Sequence, residues 1–535
     1  MRDGRLLADE LEAARSKKTE GILSVVQPYV QVADSSATCK HTGLNLFDIW
    51  RYFRYTWVNP YQTVPGRSIA LLVRDAAAPN HPVIGIAALG SAVVHQTARD
   101  ELIGWQTDTF LERLRKSPTR RMAQWLLSTV QRFIDEVYIV DLLSDDTLRK
   151  VDLKKPDAAL IAKLESEAAL EKNRHFKRPE SARVSNVDVG AMTDNDWEEL
   201  SQVPLYRSKR CRLLASFLKM RMAFIEAGFT SATPTALKQA LHWPVFKNAV
   251  RSLVSRVKSE RVGIDMMDIT VCGALPPYNH ILGGKLVCML LCSPEVRRIY
   301  EDRYRSAPSI IASALKGKRL VRRPTLACLS TTSLYGQNSS QYNRVKIPAT
   351  AAGGKSGAVI EYRKGGADGG GGHHSQGYGT FHFRQSTLDA LEEWITLEAK
   401  KDRSARSVNY IFGEGTSPKL RKLRDKISAV GLPGDEALRH ARSRIVYFIS
   451  LVENTGDFLL GLDTTPRWIL PQKSAEDVTR QVAVYWSERW LAMRIESQEV
   501  IDKVREHTLD YPITHGARVP RLPESVESDL FDQLA

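Results

Sequence analysis

Apolar residues along the chain follow two periods, and the switches between them mark five segments. Residues 1–60 open with a charged amphipathic helix, MRDGRLLADELEAARSKK, and then turn irregular. In residues 61–109, RSIALLVRD (Arg67–Asp75) and PVIGIAALGSAVV (Pro82–Val94) are strand-length apolar runs parted by the Pro/Asn turn AAAPNH. That pattern predicts a hairpin whose second strand lies inside a sheet. From Phe110 to about Glu260 apolar residues recur every three or four positions, as in FLERLRKSPTRRMAQWLL and DAALIAKLESEAALEK. Residues 110–261 therefore read as a helical insertion that interrupts the sheet. Strand–helix alternation returns in residues 262–387. IDMMDITVCGAL (Ile264–Leu275) is a strand, a Pro-Pro turn follows, and Gly283–Gly284 opens a helix that runs to Tyr304. TLACLS (Thr325–Ser330) is another strand, SSQYNRVKI a short helix or turn, and GGADGGGGHHSQGYG a low-complexity loop between two polar strands. Residues 388–535 read as a helical C-terminal domain, including FGEGTSPKLRKLRDKISAVGL and VYWSERWLAMRIE, with an irregular acidic tail. The fold class is α+β: a mixed sheet split by a helical insertion and followed by helices.

Charge changes this picture most. The 535 residues carry a net +15, while the apolar (43%) and charged (26%) fractions are those of an ordinary soluble protein. Such an excess points to an anionic partner, nucleic acid (DNA) ahead of a membrane surface. Between Leu205 and Val262 there are 12 Lys or Arg against only Glu226 and Glu260. Arg207, Arg210 and Arg221 fit one helical face, with Lys209, Lys247 and Arg251 continuing the pattern. A basic loop downstream adds Lys316, Lys318, Arg319, Arg322 and Arg323. These residues are the candidate phosphate contacts, the other reading being a solvated helix face. The aromatic run LFDIWRYFRYTWVNPY (Leu46–Tyr61) is read as a packing surface, although arginine-flanked aromatics also stack bases. The six cysteines lack any CxxC, and no secretion signal precedes them. The longest apolar stretch, Val83–Val94, is too short to span a bilayer. A cytoplasmic protein with no membrane partner is expected.

Two segments carry candidate chemistry. A strand that passes through a glycine turn into a helix N-terminus offers unpaired N–H groups to phosphates. Asn279, Gly283, Gly284 and Lys285 are therefore the candidate cofactor-binding residues, for an acyl-CoA or a nucleotide; a plain strand-to-helix connection is the alternative. TTSLYGQNSSQYNR (Thr331–Arg344) follows a strand, where α/β sheets place ligands. Tyr335, Tyr342 and Asn343 are its candidate catalytic groups, as proton donor or orienting amide; a capped helix start is the alternative. GGKS at Gly353 lacks the first glycine of a P-loop, since position 349 is Ala349. His373, His374 and His382 have no carboxylate or cysteine to complete a ligand set, and Cys288 with Cys292 reads as a buried apolar pair, so no metal site is expected.

Five stretches in order, HPVIGIAALGSAVVHQTARDELIGW (His81–Trp105), VCGALPPYNHILGGKL (Val271–Leu286), TSLYGQNSSQYNRVKIP (Thr332–Pro348), FGEGTSPKLRKLRD (Phe412–Asp425) and YPITHGARVP (Tyr511–Pro520), resemble the Druantia anti-phage DruA family. The resemblance implies a component of a multi-gene bacterial defence system that works beside other Druantia proteins, a helicase among them. The order hairpin, strand–glycine-turn–helix, then strand is similar to the core of GNAT acyltransferases and of the phage DNA-modification protein Mom. That likeness implies a GNAT-like sheet in which the glycine-turn helix would hold the pyrophosphate of coenzyme A. Here His280–Lys285 reads HILGGK, where acyltransferases carry Gln/Arg-x-x-Gly-x-Gly/Ala. Three functions follow: a nucleic-acid-binding component, a transferase acting on a nucleobase or other group, or a non-catalytic scaffold.

Overall fold

The computed structural model describes residues 1–16, 24–57, 66–177, 189–333, 340–365, 374–378, 431–472 and 474–509, with short pieces between 386 and 428. The apolar runs form one mixed sheet. Its strands are β1 (Pro28–Val32), β2 (Ser68–Asp75), β3 (Val83–Ser91), β4 (Met266–Ala274) and β5 (Cys328–Thr332), joined by three later ones. Lys346–Pro348 (β6) and Val359–Glu361 (β7) form a separate two-stranded ladder. Arg363–Lys364 (β8), His374–Tyr378 (β9) and Arg439–Ser450 (β10) return to the main sheet. The order is β1-β2-β3-β4-β5-β10-β8, with β9 also pairing β10.

The expected hairpin is β2 and β3, in register from Ser68↔Gly90 to Arg74↔Val83. β4 pairs directly with β3, so the helices between them leave and re-enter the sheet at adjacent strands. Among the described residues only β4 and β5 run parallel, over three pairs, Met266↔Cys328 to Asp268↔Ser330. A bulge marks the same place. Ala88 faces Val271 and Leu89 faces Ile269, so Thr270 is the extra residue. The bulge resets the alternation, and Cys272 joins Met267 and Ile269 on one face.

Two layers cover the sheet. On that face lie the helices Gly4–Ser16, Gly283–Leu290, Pro294–Tyr304, Ala475–Trp486 and Gln498–Arg505. On the other lie the helix Leu46–Tyr55 and the helical block that follows β3. The Leu46–Tyr55 helix starts where the Asn45 side chain accepts the N–H groups of Phe47 (2.9 Å) and Asp48 (3.2 Å). It buries Leu46, Trp50 and Phe53 against β2 and β3, and Trp50 Nε1 donates to the Ala87 carbonyl at 3.0 Å. The aromatic run thus packs, while Tyr52 and Tyr55 remain exposed.

Two elements depart from the sequence expectation. The irregular part of residues 1–60 supplies edge strand β1. The C-terminal domain expected to be helical supplies β10, which sits between β5 and β8. Its run Arg444–Ser450, RIVYFIS, is β-branched and aromatic, of strand length, and buried on both sides, so it shows no helical period. Phe412–Asp425 lies mostly outside the described residues, as do His373, His382 and Tyr511–Pro520 wholly.

A buried ionic latch ties the N-terminus to this core. Arg2 Nη1 donates to Asp75 Oδ2 (3.1 Å), Tyr278 Oη (3.2 Å) and the Val25 carbonyl (3.3 Å). Tyr278 donates to the same Asp75 oxygen at 2.8 Å, and the N–H groups of Gln27 and Ala77 reach Oδ1 at 2.8 and 3.0 Å. Asp75 is fully buried, whereas Glu10, on the outer side of Arg2, is half exposed. Removing one partner of a buried pair strands the other charge. Asp75→Ala is therefore expected to lower the unfolding free energy in urea by about 3–5 kcal/mol, and Glu10→Ala by about 1 kcal/mol or less.

Candidate functional site at the divergence of β4 and β5

Beyond Asp268↔Ser330 the two parallel strands part, and their backbone groups need new partners. On the face of the glycine turn, side chains supply them. Thr331 Oγ1 donates to the Ile269 carbonyl (2.9 Å), and Gln341 Nε2 to the Cys272 carbonyl (2.7 Å). Leu282 takes a left-handed φ of 63° and opens the Gly283–Leu290 helix. A Cβ on Gly283 would lie 2.8 Å from the Tyr278 carbonyl oxygen and 2.9 Å from Ala274 Cβ. One on Gly284 would lie 2.6 Å from Gln341 Oε1. Both glycines thus admit protein atoms. Lys285 Nζ donates to the carbonyls of Asn343 (2.7 Å) and Gln341 (3.1 Å) and lies 4.7 Å from the Trp490 ring centre; burial pushes its pKa down. Asn343 Oδ1 accepts from Tyr447 at 2.8 Å. Tyr342 is buried, stacked on Tyr362 at 5.5 Å, and burial raises its pKa. Asn279 is exposed at the turn. Tyr335 lies outside the described residues.

The structure therefore brings Gly283, Gly284, Lys285, Tyr342 and Asn343 together as a packed joint. A pyrophosphate would need the space that Gln341 fills and the lysine that two carbonyls engage. The turn does not fit the phosphates of an acyl-CoA or a nucleotide.

The basic residues are largely matched from within. Arg207 pairs with Asp141 (2.8 Å), Asp145 and Glu167 (2.9 Å). Arg210 is fully buried; it pairs with Asp141 (2.6 Å) and donates to the Ser201 carbonyl at 3.0 Å. Arg221 donates to the Leu153 carbonyl (2.6 Å) and to Gln131, Arg251 pairs with Asp108 (2.8 Å), and Arg322 with Glu136 (2.8 Å) and Glu260. Lys209 is half-buried over Tyr206, and Lys247 and Lys316 are half-buried. Lys318, Arg319 and Arg323 are exposed, Arg319 donating to the Ser306 carbonyl at 3.2 Å.

The opposite face of the divergence holds a constellation that sequence reading missed. Asp268 Oδ1 accepts from the Ser330 hydroxyl, and Oδ2 from the Val93 N–H at 3.1 Å. Arg99, with no exposed surface, donates to the carbonyls of Val93 (2.6 Å) and Val94 (3.0 Å) and pairs with Asp100 at 2.9 Å. Lys258 donates to Asp100 Oδ2 and lies 3.3 Å from His95 Nδ1. An ammonium only donates, so Nδ1 must accept and the ring is the neutral Nε2–H tautomer. Burial, then the charge of Lys258, lowers the His95 pKa. Burial raises that of Asp268. The sequence signal was the adjacent charges of Arg99-Asp100 just past a wholly apolar strand; nothing local reveals that Lys258, Asp268 and Ser330 meet them.

A carboxyl whose folded pKa is raised favours the protonated fold. Its contribution is complete below the unfolded value, ~3.9, and is lost as pH rises through the folded value. Wild type is thus expected to lose stability relative to Asp268→Asn as pH rises above about 4, in urea unfolding. A difference constant from about pH 4 to 8 contradicts this assignment.

The family model for Druantia protein DruA matches residues 40–121 and 254–461. His95, Arg99, Asp100, Lys258, Asp268 and Ser330 all fall within those segments, whereas Asp141, Arg207 and Arg210 fall outside. Druantia protein DruA of Escherichia coli (strain UMEA 4076-1) is 31% identical over 220 residues, 40% of this chain and 47% of the relative. The match thus spans about half the length of that relative. No solved structure matches. The family match extends over more than half of the residues, and the chain belongs to the Druantia protein DruA family.

Proposed function

We propose that the protein is a nucleic-acid-binding component of a Druantia-type bacterial anti-phage defence system and acts with partner proteins, a helicase among them. Membership of the DruA family supports the defence role. The nucleic-acid part rests on the excess of +15, of which Lys318, Arg319 and Arg323 are exposed representatives on one loop. Arg207 and Arg210 support the fold in this reading, since their guanidinium groups are taken by carboxylates. No helix among the described residues is long and apolar enough to cross a membrane.

A second reading, a GNAT-like transferase acting on a nucleobase or other group, is favoured by the sheet. Among the described residues it has one parallel pair, the glycine-turn helix lies between those two strands in the chain, and β10 and β8 follow beyond β5 in the sheet. Because the glycine turn is packed, a donor molecule would have to bind elsewhere.

Neutralised phosphates make log affinity fall with log salt at a slope of about −0.9 each. The full chain is expected to bind duplex or single-stranded DNA with a steep slope. Replacing Lys318, Arg319 and Arg323 together by alanine is expected to flatten that slope by about 2 to 3, while Arg210→Ala lowers stability and leaves the slope intact. A flat salt dependence in wild type contradicts the nucleic-acid reading. The transferase reading predicts thermal stabilisation by acyl-CoA or nucleotides, about 2.7 kcal/mol at a hundred times the dissociation constant; no shift with either counts against it.

A further inference from the structure

Three buried ionisable side chains in contact, with a fourth close by, are an unusual way to shape a loop. Arg99 (0% exposed), Asp100 (5%) and Lys258 (8%) are buried together, and Asp268 lies beside them through Val93. Desolvating such charges is unfavourable before their mutual attraction is counted, and apolar packing could anchor a loop without it. Their combined effect on the segment between β3 and the Thr97–Ile103 helix is specific. Arg99 takes the carbonyls of Val93 and Val94, and Asp268 takes the Val93 N–H. The backbone is held from beneath, and His95 is presented at the surface.

The same cluster sets the chemistry of the His95 ring. Lys258 occupies Nδ1, which leaves Nε2–H as the other polar atom, with no partner among the described residues. The groups that face the ring are Lys258, Asp100 and Arg99: two cations against one carboxylate. The surroundings therefore oppose imidazolium and carry a surplus of positive charge. An uncharged N–H donor above that surplus suits an oxyanion, and its hydrogen bond does not depend on protonating the ring. An ordinary histidine acts as a cation only when the pH falls below about 6.5.

We infer that His95 is a hydrogen-bond donor to a phosphodiester of bound nucleic acid, its ring oriented by Lys258, which Asp100 in turn holds. This rests on the nucleic-acid reading and names a contact within it. It predicts a signature that separates His95 from lysine or arginine contacts. Loss of a neutral donor weakens binding without releasing fewer counterions, so the salt slope stays put.

The experiment is fluorescence anisotropy of the full chain with labelled DNA over a salt series. His95→Ala is expected to weaken binding by about tenfold or more, the scale of a hydrogen bond to a charged group, with an unchanged slope. His95→Gln, whose amide donates from a position like Nε2, is expected to recover most of that loss. The contribution of His95 should be flat between about pH 7 and 8, a range above the ordinary imidazole value, which burial and Lys258 lower further. Circular dichroism and thermal unfolding of each variant establish that it folds. Wild-type-like binding by His95→Ala overturns this inference alone. So does a slope flattened by about 0.9, the mark of a charged contact. Failure of the wild-type chain to bind DNA overturns the inference and the nucleic-acid reading together. An excess of inorganic phosphate is expected to compete weakly; competition as strong from phosphate as from DNA assigns the site to free phosphate and also overturns it.

Discussion

The parallel ladder between β4 and β5 lasts three residue pairs, and the rest of the molecule is arranged around where it stops. A sheet whose strands part exposes backbone donors and acceptors that must be paired or solvated. One face of the opening is closed by short-range substitutes: Thr331 and Gln341 reach carbonyls of β4, and Lys285 reaches carbonyls of the next turn. That closure explains why Gly283 and Gly284 are glycines. The other face carries Asp268 and Ser330, and there the protein gathers Arg99 and Asp100 from the Thr97–Ile103 helix and Lys258 from the Pro244–Asp265 helix. The same divergence therefore yields a packed joint on one side and a charged cluster under an exposed histidine on the other.

Charge is the second organising fact. A local count assigns most of the basic excess to Leu205–Val262, where 12 Lys or Arg face only Glu226 and Glu260. It overlooks where the acids come from. Asp108, Asp141, Asp145, Glu165 and Glu167 all precede this segment, and they pair with Arg251, Arg207, Arg210 and Lys219 once the helices pack. Much of what reads as a phosphate-binding face in one dimension is an interhelical ion-pair network in three. Exposed cations remain within the block, as at Arg212 and Lys238, and in a loop outside it, as at Lys318 and Arg323.

What the sequence made legible was local. The hairpin of β2 and β3, the strand–glycine-turn–helix and the helical block all carry their periods in contiguous residues. β1 and β10 were hidden for different reasons: β1 is only five residues long, and β10 is a strand buried on both faces that follows a poorly patterned stretch. The glycine pair was seen, but its partner Gln341 lies 57 positions on, and without it a filled turn is indistinguishable from an open cradle. The cluster depends on the contacts of Lys258 with His95 and Asp100 and of Ser330 with Asp268, which no spacing rule connects. Its members also look individually ordinary, since adjacent Arg and Asp are common on helix surfaces and become unusual only when buried.

The central claim is that the charged face of the β4–β5 divergence, and not the glycine turn, meets the ligand. Hydrogen–deuterium exchange on the full chain, with and without saturating DNA, tests it most directly. The account predicts slowed exchange in residues 92–100 and in the basic loop 316–323, with residues 279–290 unchanged. Protection confined to 279–290, with 92–100 unaffected, would contradict it.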